Sequence, residues 1–83
     1  MPRPMNEEEK KEAIERAQEW QRFRQANMLS QRTLGDVIGI SRRTIQQIEA
    51  GLVLPHKATL AAYNALVEKY RAEGKHDGKN KYK

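Results

Sequence analysis

Arg42, Arg43, Gln46 and Gln47 stand together in the stretch GISRRTIQQIEAG, residues 39–51. Each is a long side chain with several hydrogen-bonding atoms, and the four crowd onto the first turns of one short helix. An arginine fork matches the O6 and N7 edge of guanine and equally a phosphate, and a glutamine amide matches N6 and N7 of adenine. Residues three and four apart share a helix face, so Gln46 or Gln47 follows the arginines while Ile45 and Ile48 turn inward. The chemistry on offer is recognition by hydrogen bonds. The plainer reading is a solvated helix surface, since glutamine and arginine are ordinary surface helix formers. Catalysis has no comparable constellation. Ser30 and Ser41 read as helix caps, with no base at a spacing that would make either a nucleophile. His56 and His76 lie far apart in a chain without cysteine, so no metal or other cofactor is expected and the chain does not read as an enzyme.

Such a face must be positioned by other elements. Residues 1–5 carry two prolines and read as a flexible N-terminus. From about Asn6 to Asn27 the pattern is one long helix, with Asn6 as cap, Glu7, Glu8 and Glu9 at its positive end, and an apolar stripe of Ile14, Ala17, Trp20 or Gln21, Phe23 and Ala26. A short helix follows from Gln31 to Ile38, capped by Ser30 and stopped by Gly39. The next is capped by Ser41 and runs to Ala50, where Gly51 stops it. Leu52 to Pro55 form a loop. A long last helix spans about His56 to Glu73, with Leu60, Ala61, Tyr63, Leu66, Val67 and Tyr70 as apolar positions. Residues 74–83, GKHDGKNKYK, read as a basic, disordered tail. Strand-period alternation and internal repeats are absent. The expected fold is all-α, with four helices in one domain over residues 6–73.

Residues 31–50 combine two short helices that share a core through Leu34, Ile38, Ile45 and Ile48, with Ile40 in a three-residue turn. Such helices must cross steeply. Gly35 permits the close approach, and Gly39 supplies the left-handed backbone of the turn. This is a helix-turn-helix pattern, in which the second helix, residues 41–50, enters the DNA major groove.

At these positions the chain resembles the phage Cro/C1-type (XRE) helix-turn-helix family. The likeness covers roughly Phe23 to Leu60. It is carried by Phe23-Arg24, Leu29-Ser30-Gln31, Leu34-Gly35, Ile38-Gly39-Ile40-Ser41, Ile45, Ile48-Glu49, Gly51, Pro55 and Thr59-Leu60. It implies a compact, lambda-repressor-like four-helix fold. It further implies base contacts from Arg42, Arg43 and Gln47, with Gln46 as a further candidate, and phosphate contacts from Gln31, Ser41, Thr44 and Lys57. Gln31 would also brace the reading helix. Arg24 and Glu49 match a structural ion pair joining the first helix to the end of the third. Two positions depart from the family pattern. Leu52, Val53 and Leu54 follow Gly51 where the family often has lysine or arginine, and Gly35 stands where alanine is more usual.

Composition agrees with a polyanion partner. The 83 residues carry a net charge of +5. Residues 1–23 hold six acids against five basic residues, whereas residues 24–57 hold two acids against five. The length suits one small domain, and no window is apolar enough to span a membrane. The absence of cysteine fits a reducing cytoplasm, as expected of a nucleoid-associated bacterial or phage protein. The functional expectation is a sequence-specific, double-stranded-DNA-binding transcriptional regulator, a homodimer on a pseudo-palindromic operator. The alternative is an antitoxin-like protein-interaction module that presents Leu52, Val53 and Leu54 to a protein partner. RNA binding lacks the aromatic platforms that single strands need. Trp20 reads as core. Tyr63, Leu66, Val67 and Tyr70 suit either the core or a dimer interface.

Overall fold

The computed structural model describes residues 4–75, so the expectations for the first three residues and for most of the basic tail, His76 included, lie outside it. The described residues form α1 (Glu7–Ala26), α2 (Gln31–Ile38), α3 (Arg42–Glu49) and α4 (Lys57–Ala72), with no strand among them. The fold is the expected all-α, four-helix one.

Local chemistry sets the helix ends. Asn6 Oδ1 accepts from the Glu9 amide at 2.8 Å, and Glu9 Oε1 accepts from the Asn6 amide at 3.1 Å, a reciprocal capping box. Ser30 Oγ accepts from the Thr33 amide, and Ser41 Oγ from the Thr44 amide. After α1 the amides of Met28 and Leu29 return to the carbonyls of Gln25 and Arg24, which closes the helix with Met28 at φ 57°. Between α2 and α3, Gly39 takes φ 84°. A Cβ on Gly35 would lie 2.6 Å from the Ile40 carbonyl oxygen, so the absent side chain is what lets the turn fold against α2.

The core draws on every helix. Trp20 and Phe23 of α1 meet Leu34 and Ile38 of α2, Ile45 and Ile48 of α3, and Tyr63, Leu66 and Val67 of α4. Trp20 stacks on Tyr63 with ring centroids 4.3 Å apart and planes 10° from parallel, and Phe23 meets Tyr63 edge-on. Tyr70 is partly buried and packs beside Phe23. The aromatic face of α4 is therefore intramolecular core.

Two details of the expected stripes are corrected. The buried residue near the start of α1 is Ala13, while Ile14 is 54 % exposed and Ala26 faces solvent. Positions three and four residues before Ala17 flank the same face, and packing chose the fourth. Ile14 instead leans its Cγ1 beside Gly51, 3.6 Å from where a Cβ there would sit. In α4, Ala62 rather than Ala61 packs against the core.

The aromatic stack carries a cost. Trp20 Nε1 and the Tyr63 hydroxyl are buried without a hydrogen-bond partner. Burial, reinforced by the nearby Glu19 carboxylate, pushes the Tyr63 hydroxyl well above the usual tyrosine range. Tyr63→Phe keeps the ring and removes an unpaired polar group, so urea unfolding at neutral pH should show stability equal to the wild type or up to about 1 kcal/mol higher. The pH dependence has a definite sign. With the folded pKa raised, the wild type keeps full stability below the unfolded tyrosine pKa of about 10 and loses it as pH rises beyond that value, a loss the phenylalanine variant should lack. Gly39→Ala tests the turn. Nothing lies within 4 Å of a Cβ there, so the cost is conformational, and thermal melts should report about 1–2 kcal/mol lost.

Candidate nucleic-acid interface

Glu49 ties α3 to the rest of the domain. Among the described residues it is the only charged one that is buried, and its carboxylate receives Arg24 Nε at 2.8 Å on Oε2 and Arg24 Nη2 at 3.0 Å on Oε1. Gln31 Nε2 adds a bond to Oε1 at 3.2 Å. The backbone carbonyl of Glu49 accepts from Gln21 Nε2, and Arg24 Nη1 also donates to the Leu29 carbonyl at 3.1 Å. The last residue of α3 is thus held by α1 and by the first residue of α2, with Arg24 itself steadied by the α1–α2 loop. A two-pronged guanidinium–carboxylate pair with further donors is the arrangement in which a buried charge is tolerated.

With its inner side fixed, α3 turns Arg42, Arg43 and Gln46 to solvent and leaves Gln47 half-buried. These four side chains, with Ala50 and Leu52, line one shallow groove of about 580 Å³. A second, smaller groove joins α3 to the start of α4, with Thr44 and Gln47 on one side and His56 and Thr59 on the other. Gln47 borders both. Ser41 is exposed and shares a hydroxyl contact with Thr44 at 3.0 Å. Lys57, at the first position of α4, is exposed beside this second groove. Gln31 lies at the opposite end of α3, where one amide hydrogen is committed to Glu49. The sequence-predicted residues therefore fall on α3 itself and on the flanking starts of α2 and α4. The loop presents less apolar surface than its sequence implies. Leu52 is 65 % exposed, but Val53 packs against the core and Leu54 is half-buried.

The charges at the starts of three of these helices run against the helix dipole. α1 opens with Glu7, Glu8 and Glu9, as the dipole favours. α2, α3 and α4 have no acid in their first turns, which hold Arg32, Arg42, Arg43 and Lys57 instead. None of these four cations makes an ion pair among the described residues, nor do Lys11 and Arg22 of α1, while Arg16 and Arg24 are paired; what sets the four apart is their place in a helix's first turn. Arg32 is a site candidate that the sequence reading passed over. Its signal was legible, because a cation at the second position of a helix costs dipole energy that an acid there would have avoided.

A family model described as helix-turn-helix, HTH_3, matches residues 21–66. The chain belongs to this Cro/C1-type helix-turn-helix family, and that membership makes it a DNA-binding helix-turn-helix protein of the regulator class. No curated protein and no solved structure matches it. No helix among the described residues is long and apolar enough to cross a membrane.

The buried pair gives a direct test of how α3 is held. Arg24→Ala strands the Glu49 charge and should cost about 3–5 kcal/mol in denaturant unfolding. Arg24→Met combined with Glu49→Leu leaves no charge stranded and should recover most of that loss.

Proposed function

We propose that this protein is a transcriptional regulator that reads a specific double-stranded DNA sequence through the outer face of α3. The observation that carries the reading is the groove on α3 lined by Arg42, Arg43, Gln46 and Gln47, together with the cations in the first turns of α2, α3 and α4 that have no ion pair among the described residues. Four cations placed against the helix dipole, with no acidic partner among the described residues, are best satisfied by phosphates. Gln31, Arg32, Ser41, Thr44 and Lys57 hold the backbone on both sides of α3 and set the register. Arg42, Arg43, Gln46 and Gln47 reach base edges in the major groove.

One such domain spans a half-site. The active species is a homodimer on an inverted repeat, because pairing two half-sites supplies affinity that one small module lacks. The reaction-bearing groups an enzyme would need are not offered by this face, and the protein acts by occupancy.

Selection of bound sequences from random duplex DNA, at near-physiological salt, tests this reading. The wild type should enrich an inverted repeat with guanine in each half-site. Arg43→Ala should relax one position and weaken binding by about 1–3 kcal/mol, the value of one bidentate contact. Arg32→Ala should weaken all sequences alike and reduce the slope of log affinity against log salt by about 1. Binding that merely fades with salt and enriches no sequence would refute the proposal.

A further inference from the structure

The outer face of α3 does not end in polar residues. Ala50 is exposed at its end, and Leu52 continues the same groove as Arg42, Arg43, Gln46 and Gln47. The backbone fixes this placement. The Leu52 amide donates to the Gln47 carbonyl at 3.1 Å and the Gly51 amide to the Ile48 carbonyl at 3.1 Å, so the chain folds back under the last turn of α3. The end of α1 closes in the same way, and there the equivalent residue is Leu29, whose amide donates to the Arg24 carbonyl. The side chains of the two leucines part company. Leu29 packs against the core, which is the usual apolar contact of this closure. Leu52 is 65 % exposed and lines the groove of the reading side chains.

We infer that Leu52, with Ala50 beside it, is a specificity-determining residue that contacts the 5-methyl group of a thymine at the edge of the half-site. The inference rests on the DNA-reading role proposed above. The thymine methyl is the one apolar feature of the major-groove edges, and side chains without polar atoms are what recognise it. A branched apolar side chain at the end of a row of guanine- and adenine-matching groups adds a third kind of letter to that row.

The experiment replaces each thymidine of the selected half-site, one at a time, by deoxyuridine, which removes only the methyl group. Affinities are measured for wild type, Leu52→Ala and Arg43→Ala, with melting curves to verify that each variant folds. At one thymidine the wild type should lose about three- to fivefold, the effect of one buried methyl group. Leu52→Ala should bind the thymidine duplex about that much more weakly and lose nothing further on replacement. Arg43→Ala should keep the methyl dependence. Equal deoxyuridine effects in wild type and Leu52→Ala, or none in either, overturn the inference while leaving sequence-specific reading intact. A shift of free Leu52→Ala from dimer to monomer in sedimentation, with methyl dependence unchanged, assigns Leu52 to a subunit contact and also overturns it. Enrichment of no sequence at all refutes the parent reading and this inference with it.

Discussion

The buried Glu49 carboxylate decides where the outer face of α3 points. An eight-residue helix has few internal hydrogen bonds and does not hold itself in water, so its orientation is imposed from outside. Ile45 and Ile48 anchor its inner face by burial, which is strong but not directional. Glu49 supplies direction. Its carboxylate takes the Arg24 fork and the Gln31 amide, and its carbonyl takes Gln21. A rotation of α3 about its own axis would break these bonds and strand a charge in the interior. The tight passage of Gly35 against the Ile40 carbonyl constrains the other end of α3 in the same sense.

Two design pressures meet in this small domain. α1 is built for stability, with a capping box, acids at its start and ion pairs along its solvent face, Arg16 bridging Glu12 and Glu19. α2, α3 and α4 give up favourable dipole interactions to carry unpaired cations in their first turns. α2 and α3 still keep serine caps, so their ends are satisfied by neutral oxygens while charge remains available to a partner. α4 has neither an acid nor a side-chain cap at its start. Each uncompensated charge is worth a few tenths of a kcal/mol to about 1 kcal/mol, a noticeable share for a domain of this size. The long α1, which contributes Trp20, Phe23, Gln21 and Arg24, offsets it.

Much of this arrangement was legible in the amino-acid order. Asn6, Ser30 and Ser41 announce helix starts because their side chains satisfy amides that nothing else reaches, and Gly39 announces a stop because few residues adopt its backbone. The Arg24–Glu49 pair was visible only through resemblance, since 25 residues separate the partners. The choice of Ala13 over Ile14 was not legible. Both lie near the inner face of α1, and the decision fell to the loop at Gly51. Nor was the role of Gln21, whose acceptor is a backbone carbonyl and leaves no residue type to read. The three apolar residues after Gly51 look alike in sequence, and only the fold separates partly buried Val53 from exposed Leu52.

In the proposed complex, DNA lies across α3 and the starts of α2 and α4. Titration of the isotopically labelled protein with a short duplex, followed by NMR, tests it most directly. The backbone amides of residues 31–33, 41–47 and 57–59 and the Nε–H signals of Arg42 and Arg43 should shift, with Trp20 and the start of α1 unmoved. Shifts gathered along the Glu8–Glu19 face of α1, with the α3 arginines unchanged, would contradict it.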